Sequence, residues 1–125
     1  MNNTTTALDL MIIFRALGES KVISPDASAK MIEILAAQEH NQGIPAGLPA
    51  GTRVAHKTGS ITKISHDAGL VIRPDGSSYV LVVLTRGFAK GDDADGVISA
   101  ISRAAWSAGD PARAGSRRNA TRRAG

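Results

Sequence analysis

The chain has 125 residues and a formal net charge of +4, with 42% hydrophobic and 3% aromatic residues. This length favours one domain with a modest core of aliphatic side chains. Because there is no cysteine, a disulfide scaffold, a cysteine metal site and a cysteine nucleophile are excluded. The sequence has no apolar run long enough to span a bilayer and no signal-peptide pattern, so we predict no membrane association and leave localisation unassigned.

The positive charge is concentrated near the end of the chain. Residues 109–125 contain five arginines and one aspartate, whereas the remainder has ten basic and ten acidic residues. The composition of this segment offers no apolar face, so we predict a folded domain over residues 1–108 and a disordered Arg-rich tail over residues 109–125. Since the tail has no aromatic residues, we favour a solvated tail over a nucleic-acid binder.

Three segments have helical patterning and start signals. Thr6 followed by Asp9 resembles a capping box, and Ser24-Pro25-Asp26 combines an N-cap serine with a proline at the first helical position. Asp95 is the expected N-cap of the third helix. The predicted helices cover residues 6–17, 24–38 and 95–108.

The middle of the chain predicts a sheet. Glycines and prolines in residues 40–51 indicate an ordered surface loop. Pro74-Asp75-Gly76 is a turn between two runs of β-branched and apolar residues. The last of the predicted strands is apolar at consecutive positions, which indicates burial on both faces. The predicted strands cover residues 52–57, 67–72 and 79–85.

These elements predict an α/β fold in an α+β arrangement, with a three-stranded antiparallel sheet packed by helices. The first strand leads into Lys57-Thr58-Gly59-Ser60, and Lys-Thr-Gly is one of three short motifs typical of class A β-lactamases and penicillin-binding proteins. Four short sequence segments occur here in the same order as in that serine hydrolase family, so residues 5–108 resemble the C-terminal portion of the family's fold. The segments are Thr5-Thr6-Ala7-Leu8-Asp9-Leu10, Gly43-Ile44-Pro45-Ala46-Gly47-Leu48-Pro49, Val54-Ala55-His56-Lys57-Thr58-Gly59-Ser60 and His66-Asp67-Ala68-Gly69-Leu70-Val71.

The resemblance implies hydrolysis of β-lactam amides or related acyl compounds, and with it antibiotic resistance. Lys57, Thr58 and Ser60 would bind the substrate carboxylate through charge-assisted hydrogen bonds, and Gly59 would let the ligand approach the backbone. The backbone N–H of Ser60 would be an oxyanion donor, a role worth about 3 kcal/mol in the transition state. The alternative is that Lys57 is a solvated strand-end lysine and Ser60 a turn residue.

The sequence departs from this family in its catalytic residues. The upstream Ser-x-x-Lys, the Ser-Asp-Asn and the glutamate that orients water are not in these 125 residues. We therefore expect the chain alone to be inactive. The alternative functions are a truncated or fragment protein that needs a partner segment, and a nucleic-acid binder acting through the Arg tail.

One Ser-x-x-Lys match does occur, Ser60-Ile61-Thr62-Lys63. Because residues three apart on a strand point to opposite faces, we do not assign a catalytic dyad there. His56 and His66 lack a convincing third ligand, so we predict no metal and no cofactor. We expect the His66-Asp67 pair to orient a loop.

The family's sheet continues past the strand matching residues 79–85 with strands from its N-terminal part. Without them, this apolar strand would be an open edge, which is a template for pairing with another chain. The expected partner is a second copy, paired antiparallel across a two-fold axis, or a missing N-terminal segment.

Overall fold

The computed structural model describes residues 4–89 and 92–109. The predicted tail lies outside the described residues except for Gly109. The described residues form three α-helices and three strands, which confirms the predicted α/β fold. The elements are α1 (Ala7–Gly18), α2 (Pro25–Ala36), β1 (Arg53–Ile61), β2 (Ile64–Ile72), β3 (Ser78–Leu84) and α3 (Ala94–Ala108), with a 3-10 turn at Pro45–Gly47.

The starts of α1 and α2 are as predicted. The N–H of Asp9 donates to the Thr6 hydroxyl at 3.1 Å, and the N–H of Thr6 donates back to the Asp9 carboxylate at 3.1 Å. Ser24 accepts a hydrogen bond from the Ala27 N–H at 3.1 Å. These reciprocal bonds satisfy backbone donors that have no partner inside the helix.

Two helix boundaries differ from the prediction. α2 ends at Ala36 and not at residue 38, because the side-chain carbonyl of Gln38 accepts hydrogen bonds from the backbone N–H groups of Glu39 and His40. The N-cap of α3 is Asp93, which accepts from the Gly96 N–H at 2.7 Å, so the assignment of Asp95 was wrong. Both aspartates precede the same apolar pattern, and the sequence alone does not distinguish them.

The sheet is antiparallel, in the order β1-β2-β3. β1 continues four residues past its predicted end at residue 57, and β2 begins three residues before its predicted start. The two strands pair as far as Ile61 and Ile64 across a two-residue turn, where Lys63 has a φ of 63°. The Lys-Thr-Gly-Ser segment therefore lies inside a β-hairpin.

Each face of the sheet has its own core cluster. α1 and α2 pack on one face, where Phe14 and Leu17 contact Leu70. On the other face, Ile98 of α3 packs with residues of all three strands. β3 contributes to both clusters through alternate side chains, which agrees with the predicted burial on both faces.

The loop over residues 40–51 is ordered, but it is not only a surface loop. Ile44 is 0% exposed and lies in the cluster beneath α3. A Cβ atom at Gly47 would lie 2.1 Å from the carbonyl oxygen of Ser99, so only glycine fits against this helix. The Ser102 hydroxyl of α3 donates to the Ile44 carbonyl at 2.8 Å. Within the described ranges, no helix is both long and apolar enough to cross a membrane.

Candidate functional site

The β1–β2 hairpin places the motif at an edge of the sheet. A two-residue turn joins Ile61 to Ile64, and these two residues form a hydrogen-bonded pair. Along the antiparallel ladder, non-hydrogen-bonded and hydrogen-bonded pairs then alternate, beginning with the pair of Ser60 and Ser65. The backbone groups of Gly59 therefore point toward β2, whereas those of Thr58 and Ser60 point away from it. No described strand lies on that side of β1, so the Ser60 N–H is directed outward.

An open cavity of about 360 Å³ lies against this edge. All four predicted site residues line it, which the sequence spacing alone could not establish. Its other walls come from the 40–51 loop, from β2 and from the first turn of α3. The lining residues are Lys57, Thr58, Gly59 and Ser60 with His40, Gln42, Gly43, Ser65, His66, Asp67 and Asp95.

Lys57 and Gly59 leave this cavity accessible. The Lys57 side chain is exposed, and its ammonium donates to the carbonyl oxygen of Thr58. A Cβ atom at Gly59 would meet no atom within 4 Å, so no described neighbour fills the space beside this backbone. The ammonium has two further N–H donors, which an anion in the cavity could accept.

A buried polar network lies directly behind the motif. Asp67 and His56 are each 1% exposed, and the His56 Nδ1 lies 2.8 Å from Oδ1 of Asp67. Oδ2 of Asp67 accepts a hydrogen bond from the Ile44 N–H at 2.9 Å, and Nε2 of His56 lies 3.1 Å from the Asn41 side-chain oxygen. The network thus ties the 40–51 loop to β1 and β2. Asp67 orients a loop, as expected of the His66-Asp67 pair.

The two histidines beside the motif have different surroundings. His66 accepts a hydrogen bond at Nδ1 from the Thr85 N–H at 3.0 Å, at the end of the sheet away from His56. In the part of the chain that the structure describes, no group of three or more His, Asp or Glu side chains could hold a metal ion. Each of the two histidines takes part in hydrogen bonds to neighbouring segments.

Ser60 and Lys63 lie on different sides of the hairpin end. Ser60 lines the cavity at the β1 edge, whereas Lys63 occupies the turn and lines a separate cavity with Ile61 and Phe88. The expectation assumed that both residues lie on one strand, but Lys63 lies in the turn after β1 ends at Ile61, and the two residues line different cavities.

Sequence reasoning missed the residues across the cavity from the motif. Asp95 was interpreted only as a helix cap, and His40 and Gln42 only as loop residues, yet all three line the cavity. The Asp95 carboxylate lies 3.5 Å from the Ser65 hydroxyl, so it reaches from α3 to β2. The acidic residues at the start of α3 were the only sequence signal for this wall of the cavity. Their position opposite the motif became evident only from the packing of α3 on the sheet.

The chain matches the model of one protein family. The model of the β-lactamase enzyme family matches residues 1–108. No curated protein matches the chain. Among solved structures, that of PBP-A is 31% identical with a TM-score of 0.79 and covers 86% of this chain, and a PBP-A mutant solved as an acyl-enzyme complex with penicillin G has the same similarity.

A β-lactamase from Sphaerobacter thermophilus is 29% identical over 80% of this chain, with a TM-score of 0.73. An ancestral class A β-lactamase is 28% identical over 83%, with a TM-score of 0.69. The chain spans only 38% to 41% of the length of these structures.

Proposed function

Because this chain belongs to the β-lactamase enzyme family, we propose that its β1–β2 hairpin is the substrate-binding part of a serine hydrolase acting on β-lactam amides or related acyl compounds. The observation that carries the proposal is that Ser60, whose N–H points away from β2 by the register of the hairpin, lines one cavity together with Lys57 and Thr58. This combination provides a cation, hydroxyl groups and a backbone donor within one open site.

The chemistry of these groups suits an acyl substrate that carries a carboxylate. The Lys57 ammonium and the hydroxyls of Thr58 and Ser60 would bind the carboxylate through charge-assisted hydrogen bonds. The Ser60 N–H would donate to the carbonyl oxygen as it gains negative charge in the transition state. The similar PBP-A mutant forms an acyl-enzyme with penicillin G, which supports a penicillin as the probe.

In this proposal the nucleophile is not part of the hairpin. Ser60 supplies a backbone donor, and a segment outside these 125 residues would supply the attacking serine and its general base. A second oxyanion donor would come from that nucleophile segment. The hairpin alone would then bind substrate and orient it without cleaving it.

Penicillin G binding to the 125-residue chain tests the proposal, with NMR chemical shifts of the β1 amides as the readout. We expect saturable shifts at Thr58 and Ser60. Lys57→Gln should weaken binding about tenfold, because a charge-assisted hydrogen bond is lost. Lys63→Gln is the matched control, since this lysine is also exposed but lines a different cavity. Equal effects of the two variants, or no shift at Ser60, would overturn the proposal.

A second candidate is a non-catalytic protein that needs a partner segment to complete its fold. The chain spans 40% of the length of the PBP-A structure, and in this candidate the remaining part of the fold would bind as a separate segment. Adding the complementary N-terminal part of a similar β-lactamase would distinguish the candidates. Restored turnover supports the hydrolase, whereas binding of that part without turnover supports the non-catalytic protein.

A further inference from the structure

The ring of His56 lies between a carboxylate and an amide. Its Nδ1 lies 2.8 Å from Oδ1 of Asp67, and its Nε2 lies 3.1 Å from the side-chain oxygen of Asn41. His56 and Asp67 are each 1% exposed, so water has almost no access to the ring. The ring thus joins β1 both to β2 and to the 40–51 loop through contacts within the described residues.

The orientation of the Asn41 amide is fixed by its other contacts. Its Nδ2 donates to the backbone carbonyl of Gln38 at 3.1 Å and to that of Glu39 at 3.4 Å. A reversed amide would place its oxygen against these two carbonyl oxygens, which have no hydrogen to donate. The Asn41 oxygen therefore faces His56, and it can only accept a hydrogen bond from the ring.

Asp67 restricts the other side of the ring in the same way. Its Oδ2 accepts from the Ile44 N–H at 2.9 Å, and its Oδ1 faces Nδ1 of His56. Because imidazole is a stronger base than a carboxylate, the proton between them resides on Nδ1. A neutral imidazole has only one N–H group, whereas the imidazolium has two. Acceptors at both ring nitrogens therefore match the imidazolium form of His56.

Loss of the Nε2 proton would turn this side of the ring from a donor into an acceptor. The Nε2 lone pair would then face the Asn41 oxygen, and neither atom could donate. Because buried polar groups need partners, the Asn41 side chain would leave this position. Its neighbours His40, Gln42 and Gly43 line the cavity at the β1 edge. The proton on His56 is therefore coupled to the position of this cavity wall.

We propose that His56 is a positioning residue for the ligand cavity, which as an imidazolium holds Asn41 and the 40–51 loop against β1. Its effect on a penicillin rests on the proposed function, whereas its hold on the loop does not. Ligand affinity should be full while both ring nitrogens carry protons, and it should fall as rising pH removes the Nε2 proton. This sign follows because the protonated form is the one that holds the cavity wall in place.

Other ionisable groups lie on the elements around His56. Asp67 on β2 contacts the ring, and Lys57 follows it on β1 with an exposed side chain. His40 of the loop and Asp95 of α3 are exposed and line the cavity. His66 also lines it, but its Nδ1 accepts from the Thr85 N–H. His40 is adjacent to Asn41, so it is the histidine whose titration must be separated from that of His56.

An NMR pH titration of the 125-residue chain without ligand is the first test. The ring nitrogen shifts of His56 report its protonation, and the backbone amides of Asn41 and Gln42 report the loop. We expect two protonated ring nitrogens at the low-pH end and one common titration curve for the ring and these amides. A ring with one protonated nitrogen throughout the folded range, or loop amides that do not follow the ring, would overturn the proposal.

Asn41→Ala removes the acceptor at an exposed position, so the chain should still fold. The His56 ring should still titrate in this variant, but the Gln42 amide should no longer follow it. A Gln42 amide that follows the ring as in the wild type would overturn the role of the bond between His56 and Asn41.

The affinity for penicillin G as a function of pH is the second test. It should fall about tenfold across the His56 titration in the wild type, because a hydrogen bond that holds the cavity wall is lost. It should not follow this titration in His56→Gln or Asn41→Ala. His40→Gln is the matched control and should keep the wild-type profile. Loss of the profile in His40→Gln, or its retention in His56→Gln, would overturn the proposal.

The two tests separate the two proposals. Absence of penicillin G binding at every pH would overturn the proposed function alone. The titration without ligand would still decide whether His56 positions the loop, since its readout is the ring and the loop amides.

Discussion

The two edges of the sheet differ in side chains and in what lies beside them. The β1 edge carries Lys57, Thr58 and Ser60 and borders an open polar cavity, whereas β3 at the other edge contains no charged residue and lies beside α1. Among the described residues, no strand pairs with the outer side of β1 or of β3, and both strands direct backbone groups to that side. The comparison shows that an open strand edge does not define a function by itself. The neighbouring groups decide whether it suits a small anion or another strand.

The largest expected effect concerns catalysis at the β1 edge. We predict that the chain alone does not turn over a chromogenic cephalosporin at an enzyme-like rate. This edge offers binding groups but no assigned nucleophile, and loss of the nucleophile in a serine protease lowers turnover by about six orders of magnitude. Turnover that is lost in Ser60→Ala and retained in Lys57→Ala would contradict this prediction and indicate a Ser60–Lys63 dyad.

The next effect concerns the network that supports the β1 edge. Asp67→Ala should lower the free energy of unfolding by about 2–4 kcal/mol, because the buried His56 ring and the Ile44 N–H each lose a hydrogen-bond partner. Urea unfolding measures this change. Asp95→Ala is the control, since Asp95 is exposed and its loss should change stability by at most about 0.5 kcal/mol. Similar losses in both variants would mean that Asp67 does not hold the loop.

The smallest expected effect is on stability, when alanine replaces either of two glycines. One of them is packed against a helix and the other borders the open cavity. Gly47→Ala should destabilise the chain by about 1–3 kcal/mol, because the added methyl group would clash with α3. Gly59→Ala should leave stability within about 0.5 kcal/mol, because the space beside it is open. Thermal unfolding measures both. Equal destabilisation would show that the β1 edge is packed and not available for a ligand.

Gly59→Ala should nevertheless weaken penicillin G binding, because the methyl group would occupy space beside the ligand. The NMR titration used for Lys57→Gln provides this readout. Unchanged binding in Gly59→Ala would place the ligand away from this part of the edge. The variant therefore tests the position of the ligand without changing the fold.

The local chemistry of the sequence determined much of this fold. Thr6 and Ser24 cap their helices through bonds to residues three positions away, and Pro74-Asp75-Gly76 forms its turn within a few residues. Such contacts depend on short stretches of chain, so spacing and residue type suffice to predict them. The Lys-Thr-Gly-Ser segment was identifiable in the same way.

Only the tertiary structure decided the length of β1, the burial of Ile44 and the role of Asp67. The bond from Ile44 to Asp67 joins residues 23 positions apart, and the bond from Ser102 to Ile44 joins residues 58 positions apart. Gly59 interrupts the strand pattern because glycine is depleted in strands, and pairing with β2 nevertheless extends β1 through it to Ile61. Contacts between distant segments form only when the chain packs, so no local pattern contains them.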